Sequence, residues 1–261
     1  MRRLPQAVLL IVTLALFAIS SVASAEELTG QQIVDKALEA DTMGFQSGHA
    51  QMTLIVYDRA GERRERKLDV KSKSGEQAGR SLATLTHPPE VRGQSFLFVE
   101  NKDKEDDVWM YVPAFKVTRR VEGSQKRGAF LGTHFTYADL ETRDIKDSNY
   151  KRLKDETIGS TPVYVIEATP KNAAQSDYAK LVLYVRKDDH IPLRVRFFGK
   201  GGELDKTLFM EKLDKTESGA TFARQMTLRS EKGGYTTIIV DALDTKADLP
   251  DSLFSREQLG K

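Results

Sequence analysis

The chain carries four histidines, and their spacing excludes the common zinc motifs. They are His49, His87, His134 and His190, with no pair four residues apart and no H-E-x-x-H run. A zinc site needs several convergent ligands, so we interpret each histidine as structural or exposed. The sequence has no cysteine, which excludes thiolate metal sites, disulfides and a cysteine nucleophile.

Motifs for nucleotide binding and serine hydrolysis are also absent. There is no G-x-S-x-G elbow, no G-x-x-x-x-G-K-[ST] loop and no G-x-G-x-x-G turn. The acidic run 103–107 begins like a calcium loop, but Val108 stands where such a loop needs glycine. We therefore expect no catalytic centre, no metal site and no cofactor, and interpret the run as a hairpin tip.

Residues 108–121 combine aromatic and basic side chains. Trp109 and Tyr111 enter on a predicted strand, and the proline at position 113 turns the chain because it lacks a ladder donor. Arg119 and Arg120 follow on the returning strand. These arginines could contact a phosphate group or a partner protein, or pair with acidic neighbours across the sheet.

Residues 128–140 place large apolar side chains on a flexible loop. Two glycines bracket Phe130 and Leu131, Phe135 follows, and Thr136 begins a short predicted helix. The residues alone leave two interpretations open: an ordinary buried loop, or a mobile apolar flap over a cavity.

The first 25 residues have the layout of a secretory signal peptide. A basic start is followed by an apolar run and a small-residue cleavage site, at Arg2-Arg3, 8–19 and Ala23-Ser24-Ala25. The apolar run is short for a membrane span of about 20 residues. A permanent anchor is the alternative, but the sequence favours cleavage and a soluble exported chain, which is periplasmic in a Gram-negative cell.

Charge balance argues against nucleic acid as a partner. The 261 residues include 40 Lys and Arg and 38 Asp and Glu. Both excess positive charges lie in the leader, so the expected mature chain has 38 (40 − 2) of each sign. Such a chain has no global field that would attract nucleic acid or an anionic membrane.

The remaining sequence predicts one mainly β domain over residues 26–261. Thr29 and Gln32 form a capping box for a first helix that Gly44 ends, and a short helix is expected from residue 250. Between them, period-two alternation predicts strands separated by turn residues, near 46–58, 62–73, 79–87, 93–100, 107–112, 115–121, 149–156, 162–169, 179–188, 191–199, 203–213, 221–231 and 234–244. Strands of this length and spacing suit a barrel or sandwich.

Two motifs resemble a known family. The runs W-x-Y-x-P-A-x-x-x-x-R-R at 109–120 and G-x-F-x-G-T-x-F-x-Y-x-D-L at 128–140 resemble the outer-membrane lipoprotein-sorting proteins, relatives of the periplasmic carrier LolA. Weaker agreement extends over nearly the whole expected mature chain. His134 departs from the aspartate found in many members, and Phe115 replaces a smaller aliphatic residue.

The resemblance implies an unclosed antiparallel β half-barrel, with an N-terminal helix and short lid helices over its concave face. It also implies an apolar cavity for acyl chains, no chemistry, an inner-membrane exporter that loads the carrier and an outer-membrane acceptor that unloads it. A sensor or scaffold on the same fold is the alternative, and a secreted enzyme is a third possibility.

Period-two alternation then suggests which residues form the cavity. We expect the wall to contain Phe96, Phe98, Trp109 and Tyr111, and the flap to contribute Phe130, Leu131 and Phe135. Large aromatic side chains suit such a site because they make no fixed polar demands.

Overall fold

The computed structural model describes residues 27–40, 47–74, 79–101, 104–141 and 143–261. The predicted signal peptide and the expected helix end at Gly44 lie outside the described residues. Within these ranges, no helix is both long and apolar enough to cross a bilayer. The same ranges contain no group of three His, Asp or Glu side chains that could hold a metal ion.

The first helix forms as its capping box predicts. Helix α1 spans Gly30–Glu39. The Thr29 backbone N–H donates to the Gln32 side chain at 2.8 Å, and the Gln32 N–H donates back to Thr29 Oγ1 at 3.2 Å. The remaining helices are short: α2 at Arg143–Lys146 and 3-10 turns at Pro89–Val91, Gly123–Arg127, Phe130–Gly132, Ala138–Leu140, Asp251–Phe254 and Arg256–Gln258. The expected C-terminal helix is therefore two separate 3-10 turns.

The described part of the chain contains fourteen strands. They are β1 Gly48–Tyr57, β2 Arg63–Lys73, β3 Arg80–His87, β4 Ser95–Val99, β5 Asp107–Val112, β6 Val117–Val121, β7 Ser148–Arg152, β8 Glu156–Ile158, β9 Thr161–Pro170, β10 Tyr178–Arg186, β11 Pro192–Gly199, β12 Leu204–Lys215, β13 Thr221–Ser230 and β14 Tyr235–Asp244. The main difference from the prediction is that the strand expected at 149–156 is interrupted and forms β7 and β8.

All the strands belong to one antiparallel sheet. Its order is β6-β5-β4-β3-β2-β1-β14-β13-β12-β11-β10-β9-β7, and β8 also pairs with β9. The two end strands, β6 and β7, do not pair with each other in the described part of the chain. This confirms the predicted unclosed antiparallel sheet.

The sheet is strongly curled, as contacts between distant strands show. Strands β4 and β10 are eight steps apart in the sheet order. In a flat sheet they would be separated by roughly 38 Å, at about 4.8 Å per step. However, the ring centroids of Phe96 in β4 and Tyr137 lie 6.0 Å apart, and the Tyr178 hydroxyl of β10 donates a hydrogen bond to the Asp139 carboxylate at 2.6 Å. Because Tyr137 and Asp139 are only two residues apart, the sheet must curve to bring these strands together.

The curled sheet has two distinct faces. We call the face covered by α1 and residues 122–141 the inner face, and the opposite one the outer face. One inner cluster is centred on β1 to β5 and β13 to β14, and α1 covers a second on β9 to β11 through Ile33, Val34 and Ala37. Phe197, Leu208 and Met210 contact both clusters, so the apolar inner face is continuous.

Candidate functional site

The inner face has an aromatic wall at its β4 end. Phe96 is fully buried and Phe98 partly buried, and the register places them opposite Met110 and Val108 of β5. The Phe130 ring meets both phenylalanines in T-shaped geometry, at centroid distances of 5.0 Å and 6.1 Å. Edge-to-face packing of this kind adds to the apolar contact itself.

Residues 122–141, which we call the strap, lie across this wall. Leu131 and Gly132 both have a positive φ, of 52° and 67°, so the chain reverses direction there. The Phe130 N–H donates to the Phe135 carbonyl at 2.8 Å and closes the reversed loop. The sequence left open a buried loop or a flap; in this structure Phe130, Leu131 and Phe135 pack into the inner apolar cluster.

A buried ion pair joins the strap to the far side of the sheet. Asp139 of the strap pairs with Lys206 of β12, and their side chains are only 2% and 5% exposed. Tyr178 of β10 donates its hydroxyl to Asp139 at 2.6 Å. Burial, followed by the charge of Asp139, raises the pKa of Tyr178, so this hydroxyl stays protonated and remains a donor.

A second buried pair closes the strap on itself. Lys126 and Glu141 meet at 2.8 Å with side chains 11% and 8% exposed. Lys126 also donates to the Asp106 carbonyl at 2.7 Å, which ties this end of the strap to the turn before β5. Burial raises the pKa of Glu141, although Lys126 opposes that effect.

Several solved structures share this architecture. An outer membrane lipoprotein-sorting protein domain from Vibrio parahaemolyticus is 28% identical, with a TM-score of 0.79 over 87% of this chain and 98% of that one. A DUF1329 family protein from Desulfovibrio piger is 26% identical, with a TM-score of 0.81 over 89% and 100%. A LolA superfamily protein from Nitrosomonas europaea shares the fold at 22% identity, with a TM-score of 0.70 over 89% and 100%.

A protein-family model described as "-like: Uncharacterized protein" matches residues 77–261, which is well over half of the chain. The chain belongs to the family of this model, and its fold is the LolA-like fold of the outer-membrane lipoprotein-sorting domain. No curated protein sequence matches it significantly. The strap of this LolA-like protein contains the second family motif, so the most distinctive part of the sequence is also the part that covers the inner face.

The expected wall needs one correction. Trp109 and Tyr111 do not share a face with Phe96, because Trp109 lies opposite Leu97 in the β4–β5 register. Both belong to an outer cluster with the C-terminal residues Leu249, Leu253, Phe254 and Leu259. Placing all four aromatic residues on one wall was therefore wrong. A role for Phe96, Phe98, Phe130, Leu131 and Phe135 in acyl-chain binding stays a prediction.

The two arginines of the first motif also separate. Arg120 pairs with Asp107 and with Glu122, the latter at 2.6 Å, which is the acidic pairing that the sequence left as one alternative. Arg119 lies opposite Met110 and is exposed on the inner side, near Tyr137. Only Arg119 therefore keeps the alternative of contacting a phosphate group or a partner.

The structure also brings together residues that the sequence did not single out. Lys206 lies within an otherwise regular strand, and only its contact with Asp139 reveals its role.

On the outer face, a groove of about 510 Å³ is lined by polar side chains of β12 to β14, including Glu211, Gln225 and Thr227. Its polarity makes it unlike the apolar cavity expected from the family.

His134 ties the middle of the strap to β14. Its backbone N–H donates to Thr236 Oγ1 at 3.0 Å, and its ring Nδ1 lies 2.9 Å from the same oxygen. Burial lowers the pKa of His134 from its ordinary value near 6.5, and the charges of Lys206 and Arg64 act in the same direction. The neutral ring therefore fits this site better than the protonated ring.

We expect acidification to weaken the protein through His134. The unfolded chain takes up a proton near pH 6.5 but the folded chain does so only at lower pH, so stability is lost as the pH falls below that value. For the uptake of one proton, the free energy of unfolding changes by at most about 1.4 kcal/mol per pH unit. Urea unfolding at pH 7 and pH 5 should show a smaller loss for His134→Gln than for the wild type. An equal loss in both proteins would contradict this expectation.

Proposed function

We propose that the protein is a periplasmic carrier that binds the acyl chains of lipids or lipoproteins and moves them towards the outer membrane. It performs no chemistry. The observation that carries the proposal is the continuous apolar inner face covered by the strap, whose phenylalanines occupy the place where a ligand would lie. The LolA-like fold and the 28% identity to an outer membrane lipoprotein-sorting domain support the same conclusion.

The energies are compatible with displacement of the strap by a lipid. An acyl chain of about 16 carbons gains on the order of 12 kcal/mol when it leaves water. The strap side chains Phe130, Leu131 and Phe135 gain about 1.5–3 kcal/mol each from burial, or roughly 5–9 kcal/mol together. A bound chain can therefore replace the strap on the wall, and the returning strap assists release of the chain at the acceptor.

The proposal includes a route through the envelope. The signal peptide predicted at residues 1–25 would deliver the chain to the periplasm. An inner-membrane exporter would load the inner face, and an outer-membrane acceptor would take the cargo. Contact with these membrane proteins would be transient, because the carrier must leave each of them.

Lipid analysis of the purified protein tests the proposal. We expect protein isolated from its own cell envelope to contain about one lipid or lipoprotein equivalent, identified by mass spectrometry after solvent extraction. A sample unfolded in urea and refolded without lipid provides the control and should contain none until lipid is added back.

Two other results would contradict the carrier. Absence of lipid together with a tight protein partner would indicate an envelope sensor or scaffold on the same fold. Turnover of an added substrate would indicate an enzyme.

A further inference from the structure

Arg66 places a positive charge on the apolar inner face. It lies on β2 opposite Leu54 of β1, and Leu68, two residues further along β2, has the same orientation. Both leucines belong to the inner apolar cluster. The Arg66 side chain therefore leaves the sheet on the side that the strap covers.

The Arg66 guanidinium has no partner in the described part of the chain. Its Nε is buried without a hydrogen bond. No described carboxylate lies within ion-pair distance, whereas neighbouring Arg64 pairs with Asp58 at 3.5 Å. Burial, and then the charge of Arg64, lowers the pKa of Arg66. A partly buried cation without a counter-ion is costly, and an anion bound beside it would remove much of that cost.

The strap leaves room above Arg66 at Gly132, where the strap reverses direction. A Cβ added at Gly132 would lie 3.8 Å from Arg66 Nη2, and apart from the residues adjacent to Gly132 in the chain no other described atom would lie within 4 Å of it. Gly132 itself has a φ of 67°, so a side chain is disfavoured there. The guanidinium therefore faces bare backbone at the reversal of the strap, in the segment that must move when a ligand enters.

From these contacts we propose that Arg66 binds the anionic head group of a lipid whose acyl chains lie along the inner wall. The inference rests on the proposed carrier function and narrows its cargo to anionic lipids. An arginine suits this task because its forked N–H donors match phosphate or carboxylate oxygens in pairs. The partly buried position lowers the local dielectric constant and so strengthens the contact.

The test compares two probes that differ only in the phosphate group. Fluorescent phosphatidic acid and diacylglycerol with identical acyl chains are titrated into the delipidated protein at fixed salt. We expect the wild type to bind phosphatidic acid at least about tenfold more tightly than diacylglycerol. Arg66→Gln should reduce this preference to about twofold or less, with unchanged affinity for diacylglycerol.

Two further variants separate the charge of Arg66 from its structural effects. Arg64→Gln is the matched control: it removes a neighbouring guanidinium that already has a carboxylate partner, and should keep the preference. Arg66→Lys keeps the positive charge but lacks the forked pair of N–H donors, and should retain part of the preference for phosphatidic acid. Arg66→Gln should unfold at or above the wild-type temperature, since it removes an unpaired charge.

Each outcome supports or overturns a defined statement. Failure of the wild type to bind either probe would overturn the carrier function itself. Equal binding of both probes would leave the carrier function intact and overturn the role of Arg66, as would a preference that survives in Arg66→Gln. Displacement of bound phosphatidic acid by inorganic phosphate alone would show a free-anion site and overturn the assignment to a lipid head group.

Discussion

Asp139→Asn is expected to lower the free energy of unfolding by about 3–5 kcal/mol. The substitution keeps the size of the side chain and an oxygen for the Tyr178 hydroxyl, but leaves Lys206 charged and almost fully buried. In the variant, the Lys206 ammonium group would still lie over the rings of Tyr178 and Phe197, whose centroids are 5.3 Å and 5.4 Å away. These cation–π contacts are too weak to replace a buried counter-ion. Urea unfolding monitored by circular dichroism measures the difference.

Two companion variants make this expectation specific. Asp139→Asn combined with Lys206→Met removes both charges and should recover most of the lost stability, because no charge is then left buried without a partner. Lys246→Gln breaks a pair with Glu217 whose side chains are 73% and 75% exposed, and should change stability by less than about 1 kcal/mol. An Asp139→Asn loss as small as that of Lys246→Gln would show that the buried pair does not hold the strap.

The strands could be predicted because their signals are local. The alternation of apolar residues is visible within each strand, and breaks such as Gly159-Ser160 separate one run from the next. The interruption between β7 and β8 was missed because Leu153 continues the apolar content beyond the end of β7. The prediction that the sheet is unclosed rested on the resemblance of the two motifs to a known family, because strand length and spacing suited a barrel or a sandwich.

The faces of the strands could not be predicted in the same way. Strand β5 is apolar on both sides, with Met110 directed inward and Trp109 outward. Period-two alternation groups residues within one strand, but the register between strands decides which groups share a wall. The hairpin before β5 sets that register, and a change of one residue would exchange the two faces.

The polar anchors of the strap depend on contacts between distant parts of the chain. Asp139 and Lys206 are 67 residues apart, and no local pattern connects them. Asp139 did stand out as the acid of the second family motif, beside apolar Leu140. Its partner emerges only once the sheet curls and brings β12 beneath the strap.

The corrected faces lead to opposite expectations for two aromatic residues. Phe98→Asn places a polar amide on the inner wall and should weaken binding of a fluorescent fatty-acyl probe by about ten- to a hundredfold, since a large apolar side chain contributes about 1.5–3 kcal/mol. Trp109→Ala should leave that affinity within about twofold. It should instead reduce stability by roughly 2 kcal/mol, because Trp109 is only partly buried.

The reason for the stability loss lies under the C-terminal segment. Trp109 packs against the buried cluster that contains Phe254 and Leu259, and the Arg256 guanidinium lies 5.1 Å from the centre of its ring. Removing the indole would expose this outer cluster and loosen residues 249–259 without touching the inner face. Probe titration and urea unfolding of both variants separate the two effects. A folded Trp109→Ala protein that no longer binds the probe would mean that acyl chains contact the outer face, which would reverse the assignment of the wall.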